Sequence, residues 1–251
     1  MKALARFGKA FGGYKMIDVP QPMCGPEDVV IEIKAAAICG ADMKHYNVDS
    51  GSDEFNSIRG HEFAGCIAQV GEKVKDWKVG QRVVSDNSGH VCGVCPACEQ
   101  GDFLCCTEKV NLGLDNNTWG GGFSKYCLVP GEILKIHRHA LWEIPDGVDY
   151  EDAAVLDPIC NAYKSIAQQS KFLPGQDVVV IGTGPLGLFS VQMARIMGGG
   201  KYRRRWSARR CGGPLPGCKR TGCDGSSKWF YRRCGGALPA NLWQRQSGTG
   251  D

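Results

Sequence analysis

The chain has 251 residues, 43% of them hydrophobic and 22% charged, with a formal net charge of +4 and fourteen cysteines. That length allows one or two domains with a sizeable core. No stretch approaches 18 uninterrupted apolar residues, and the first 25 residues lack the apolar centre of a secretory signal. A helical membrane span and a small secreted disulfide scaffold are excluded, and a soluble, cytoplasmic chain is expected.

The charge is unevenly spread. From Gly199 onward there are nine Arg and three Lys against two Asp, which leaves 18 basic and 24 acidic residues in 1–198. The last 53 residues contain no Val, Ile, Met, Glu or His. A folded element needs periodic apolar residues, so 199–251 is expected to be disordered.

Along the chain, "DVVIEIKAAAIC" (28–39) alternates and carries β-branched residues, as a strand should. "GCIAQV", "QRVVS", "FSKYCLVP" and "ILKIHRHALWEIP" continue the same short-strand style through residue 145. The expectation is an all-β region with long loops, compatible with a distorted barrel. From Tyr150, "YEDAAVLDPICNAYKSIAQQ" shows helical spacing, with Asp149 or Asp152 as its cap. "QDVVVIGTGPLGLFSVQMARIMGG" then reads as a buried strand, a glycine turn and a helix.

Three motifs carry chemistry. "CGVCPACEQGDFLCC" sets Cys92, Cys95, Cys98 and Cys106 at C-x2-C-x2-C-x7-C. Short turns let neighbouring thiolates converge on one ion, and four sulfurs leave no open position, which describes a structural zinc. An iron–sulfur cluster is the rival, but those runs close with x3 and Cys-Pro. Cys105 is then a spare neighbour. The second constellation is "AAAICGADMKHY", "RGHEFAG" and "LDPICNA". Cys39, His61, Glu62 and Asp157 offer a thiolate, an imidazole and carboxylates, a set suited to a zinc with an exchangeable position. The third is G-x-G-x-x-G at Gly182, Gly184 and Gly187, with Thr183, Pro185 and Leu186 between them, after a strand and opening a helix. In that setting it is a dinucleotide-phosphate turn.

Taken together, "CGAD", "GHEFAG", the CGxCxxC lobe, "LDPICNA" and "GTGPLG" resemble, in order and spacing, the zinc-dependent medium-chain alcohol dehydrogenases, particularly the sorbitol and threonine dehydrogenase branch. The resemblance covers roughly residues 1–198. It implies an α/β protein with an all-β part. A GroES-like catalytic domain would span 1–150, with its structural-zinc lobe at 90–107, and the start of a Rossmann doubly wound cofactor domain would span 151–198. It further implies a catalytic zinc on Cys39 and His61, with Glu62 and Asp157 at positions where carboxylates alternate with water. NAD or NADP would be the hydride acceptor, a secondary alcohol, polyol or threonine-like hydroxy compound the substrate, and the full-length form a homo-oligomer. Members usually have Ser or Thr two residues after the ligand cysteine and often His five after it; here Ala41 and Lys44 stand there, with His45 next, so Lys44 or His45 is either a proton relay through water or a solvated loop residue.

The family continues into further βα units after this point, and 199–251 shows none of them. A basic nucleic-acid-binding tail would suit its arginines and aromatics, yet no nucleic acid is expected as a partner. A slipped reading frame fits better. With CGN arginine codons, "KYRRRW" read one base later permits Asn-Ile-Val-Val-Val-Gly, the texture of a second Rossmann strand. "KRTGCDG", shifted identically, permits Ser-Glu-Leu-Gly-Ala-Thr. The competing reading of function is a truncated zinc-binding fragment without turnover.

Overall fold

The computed structural model describes residues 1–7, 13–47, 55–115, 119–182, 184–200 and 202–205. The chain divides into Met1–Trp206 and Ser207–Asp251, and every described residue lies in the first unit.

The β region is built from β1 (Lys2–Phe7), β2 (Tyr14–Asp18), β3 (Val29–Ala37), β4 (Phe55–Ile58), β5 (Glu62–Val70), β6 (Arg82–Ser85), β7 (Ser88–His90), β8 (Val110–Asn111), β9 (Tyr126–Val129) and β10 (Leu141–Glu143). An antiparallel sheet in the order β10-β6-β5-β3-β9 forms its centre. β3 is an inner strand, paired on both sides by β5 and β9, and its alternating β-branched residues serve both faces of the sheet. Val29 and Ile31 pack with Phe63, Ile67, Val83, Val129 and Leu141 in the main core. On the other face Ala64 and Val84 meet Ile144, Ala153 and Ala154. Burying each large side chain contributes about 1.5–3 kcal/mol relative to exposure. The small alanines instead let a helix approach the sheet closely. A second sheet, β2-β1-β4, is tied to the first by a bridge from Ala3 to Ser124 and by bonds from Leu4 N to Phe123 O and from Phe123 N to Arg59 O.

Six helices accompany the strands among the described residues: α1 (Gly40–Tyr46), α2 (Pro96–Glu99), α3 (Gly131–Ile136), α4 (Tyr150–Ala154), α5 (Leu156–Tyr163) and α6 (Pro185–Ile196). The strand expected through "ILKIHRHALWEIP" is largely helical instead. Pro130 caps α3, a 3₁₀ turn covers Arg138–Ala140, and only Leu141–Glu143 pair as β10. Ile133 and Ile136, three apart, both meet the core, so a helical spacing was hidden inside an alternating run. Asp149 does occupy the cap position of α4, but its side chain makes no capping bond, and Asp152 lies within the first turn.

After a π-helical turn over Lys164–Gln169, β11 (Val178–Ile181) leads through α6 to β12 (Tyr202–Arg205), which pairs parallel to β11 from Val178↔Tyr202 to Ile181↔Arg205. Two expectations fail here. β11 is not buried, since Val179 is 64% and Ile181 74% exposed. A parallel strand needs cover on both faces, and among the described residues α6 is the helix packed on this pair. The stretch expected to be disordered also begins with a strand. Ladder hydrogen bonds come from the backbone, so the strand–helix–strand crossover pairs without an apolar pattern in "YRRR". Residues 206–251 lie outside the described residues.

Candidate metal centres

The four-cysteine lobe is a short excursion between β7 and β8. Pro96 at the first helical position starts α2 directly after Cys95, and Cys98 sits on that helix. A 3₁₀ turn over Phe103–Cys105 then returns Cys106 to the group. The four sulfurs lie within 4.8 Å of one another. Cys92 Sγ is 3.9 Å from Cys98 Sγ and 3.7 Å from Cys106 Sγ. A tetrahedral ion with metal–sulfur bonds of about 2.3 Å has sulfur–sulfur edges of about 3.8 Å. These spacings therefore suit one shared ion. They are far longer than a disulfide, and the cysteines are free thiols. A cluster that puts each cysteine on its own iron would spread the sulfurs further. Backbone N–H groups already point at two of them: Cys92 N to Cys106 Sγ at 3.4 Å and Cys95 N to Cys92 Sγ at 3.3 Å. The Cys92 N–H is the main reason Cys106 is held below its ordinary pKa, while burial pushes Cys98 up to about 12. A cation in the middle would hold both as thiolates. Cys105 is exposed and outside the group.

The second centre joins three elements. Cys39 is the residue before α1, and Glu62 opens β5 directly after His61. Their donor atoms lie within 4.8 Å of one another. Asp157, in the first turn of α5, stands outside that set but within electrostatic reach of both His61 and Glu62. Its own carboxylate accepts from Asn161 Nδ2 at 3.3 Å. Burial raises the pKa of Cys39, Glu62 and Asp157 alike. Three acidic donors sharing a desolvated corner favour their neutral forms until a cation joins them. Two buried atoms here have no partner, His61 Nδ1 and Asp42 Oδ1. They face each other at 3.8 Å, too long for a hydrogen bond but the arrangement that orients a ligand imidazole. Asp42 Oδ2 is meanwhile fixed by Cys39 N at 3.0 Å. With Nδ1 turned to Asp42, Nε2 is the nitrogen left for an ion. Both groups fit zinc: one closed and all-sulfur, one open with mixed donors.

The glycine turn follows β11. Gly182 has φ +117, a conformation closed to most side chains. A Cβ at Gly187 would collide with the Gly182 carbonyl and touch Val180, so that glycine lets α6 lie against the strand. Gly184 caps α6, and Pro185 opens it ahead of Leu186. The amide end of a twelve-residue helix thus opens directly from the glycine turn. Thr183 lies outside the described residues.

Residues 25–138 match the alcohol dehydrogenase GroES-like domain. The chain is 38% identical over 205 residues to an L-threonine 3-dehydrogenase of Mesorhizobium japonicum, covering 80% of this chain and 55% of that protein. Its fold is similar to that of 2R,3R-butanediol dehydrogenase from Bacillus subtilis (TM-score 0.67, 26% identity, 81% of this chain and 57% of the other). It is similar also to that of the alcohol dehydrogenase TADH from Thermus sp. ATN1 (TM-score 0.69, 27% identity, 81% and 57%). The chain therefore spans a little over half the length of the dehydrogenases it matches. No helix among the described residues is long and apolar enough to cross a membrane.

Lys44 and His45 stand outside the Cys39–His61–Glu62 donor set. Both line a cleft with Ala41 on α1, Lys44 at its exposed rim and His45 half-buried. Burial first, then the Arg59 and Arg6 guanidiniums, hold His45 below its ordinary pKa. Sequence reasoning missed Asp42. Its signal was present in "CGAD": an acid three residues after Cys39 is placed to bond the cap backbone. That it also faces His61 follows from the meeting of α1 and β5, which no local pattern shows.

Proposed function

We propose that the chain carries the catalytic half of a zinc-dependent oxidoreductase that exchanges hydride between NAD or NADP and a secondary alcohol, a polyol or a threonine-like hydroxy compound. One observation carries the reading: the convergence of a thiol, an imidazole and a carboxyl group at Cys39, His61 and Glu62. Those three would hold the catalytic zinc, with Asp157 close enough to take a turn as ligand. Cys92, Cys95, Cys98 and Cys106 would hold the structural one. Bound zinc supplies polarisation of the alcohol oxygen, and the nicotinamide takes the hydride. The protein's own residues position and neutralise. Asp42 holds the His61 ring, and the Gly182–Gly187 turn presents amides to the cofactor phosphates. Ala41 offers no hydroxyl, so a neutral His45, with Lys44 at the rim, would carry the proton outward through water.

Residues 1–150 would act as the catalytic domain and 151–198 as the start of the cofactor domain. The full-length form would be a cytoplasmic homo-oligomer. A second reading applies to the 251-residue chain as written: two zinc sites without turnover. The exposed Val179 and Ile181 favour it, because a strand pair with one helix does not enclose a dinucleotide. Zinc analysis with NADH fluorescence titration separates the two. Two zinc ions with NAD-dependent alcohol oxidation establish the first, and two zinc ions with no NADH binding establish the second. Fewer than two zinc ions per chain overturns both.

A further inference from the structure

Asp157 is the donor of the second constellation that the fold leaves apart from the others. Cys39, His61 and Glu62 bring their donor atoms within 4.8 Å of one another, and Asp157 stands outside that group. What holds it is local to α5. Residues 157 and 161 share one face of that helix, four positions apart. Asn161 Nδ2 donates to the Asp157 main-chain carbonyl at 3.0 Å and to Asp157 Oδ2 at 3.3 Å. One side-chain amide therefore grips the backbone and the carboxylate of the same residue and fixes the torsion between them. Pro158 comes next and has no N–H to offer. Among the described residues, Asn161 is thus the hydrogen-bond donor to this carboxylate.

The other neighbours of Asp157 pull it in opposite directions. Burial disfavours its charge most strongly, His61 favours it, Asp86 disfavours it, and Lys109 and the Asn161 amide favour it. Asp86 and Lys109 are themselves held. Ser88 Oγ accepts from Lys109 Nζ at 3.2 Å and donates to Asp86 Oδ2 at 3.1 Å, and His137 Nε2 meets that same oxygen at 2.7 Å. With those charges held in place, the Asn161 bond is the part that can open and close. We infer that Asn161 is a positioning residue that holds Asp157 back from the metal corner, so that the open position beside Cys39, His61 and Glu62 is left to an outside ligand until the amide lets go. Asn161 touches none of the three donors and acts through Asp157. The inference rests on the zinc reading given above.

The test uses the 251-residue chain loaded with zinc, and a parallel sample loaded with cobalt(II), whose visible absorption reports coordination. Imidazole is the outside ligand; the closed all-sulfur site has no position for it, so its spectral change reads the open corner. In Asn161→Ala the freed carboxylate should take the open position. Chelator competition should then show zinc at the corner held about three- to tenfold more tightly than in the parent, the range of one hydrogen bond. Imidazole should bind the cobalt form more weakly by about the same factor. Both shifts should vanish when Asp157→Ala is added, since the amide then has nothing to hold. Asn161 is exposed and alanine is the better helix former, so a merely structural role predicts an equal or slightly higher Tm and no shift in metal binding. Equal zinc and imidazole affinities in parent and Asn161→Ala, weaker zinc in that variant, or shifts that persist beside Asp157→Ala overturn the inference. An unmodified chain that holds fewer than two zinc ions instead overturns the zinc reading, and the inference falls with it.

Discussion

Neighbouring cysteines give the sharpest test of the closed metal site. Cys106 lies 3.7 Å from Cys92 Sγ inside the sulfur group, whereas Cys105, one residue earlier, is exposed and outside it. Replacing Cys106 by Ser removes one of four thiolates, and replacing Cys105 by Ser removes none. A four-sulfur zinc site contributes on the order of 10 kcal/mol to local folding. Each 1 kcal/mol moves the melting temperature of a domain near 200 residues by about 2–4 °C, so losing even a quarter of the site lowers Tm by about 5–10 °C. Zinc per chain and Tm should be measured side by side. Cys106→Ser should fall from two zinc ions to one, melt earlier and be cut by protease within 90–107. Cys105→Ser should match the parent in all three. Equal behaviour of the two variants, or two zinc ions retained in Cys106→Ser, would refute the single-ion geometry.

Three other outcomes are expected. Asp42→Ala should weaken zinc at the Cys39–His61–Glu62 corner about 10–100-fold in a chelator competition while leaving the cysteine lobe loaded; unchanged affinity at both sites would remove Asp42 from the centre. In the metal-free chain, Glu62 and Asp157 have folded pKa values raised by burial, so the folded state holds their protons more tightly than the unfolded state does. Their stabilisation is complete below the ordinary carboxylate range and is lost as pH rises through the raised values, whereas the gain from zinc grows over the same interval. Glu62→Gln should flatten the metal-free Tm profile in that window, and a slope equal to the parent's would contradict the assignment. Resequencing the DNA across the codons for Met197–Trp206 should show one missing or extra base that turns β12 into a Val-rich strand; an intact frame would make the arginine strand native and leave the chain a two-zinc protein.

The sequence by itself determined the local chemistry. C-x2-C-x2-C-x7-C sets how far four thiolates can separate, and their convergence within 4.8 Å is what that spacing allows. G-x-G-x-x-G needs a strand before it and a helix after it, and β11 and α6 supply them because their apolar runs are local. The alternation in β3 likewise marked it as a strand. Contacts between distant segments were settled only in three dimensions. Asp42 reaches His61, and Arg59 faces Lys44 and His45, because α1 and the segment before β5 lie side by side though far apart in the chain. "ILKIH" satisfied both the two-residue and the three-residue period, and Pro130 with the buried pocket for Ile133 decided for the helix. "YRRR" has no strand signal, yet it pairs with β11, because backbone ladder bonds and the crossover through α6 ask nothing of side-chain polarity. Local spacing fixes which groups can meet within a loop, and packing alone decides which elements bring the remaining groups to them.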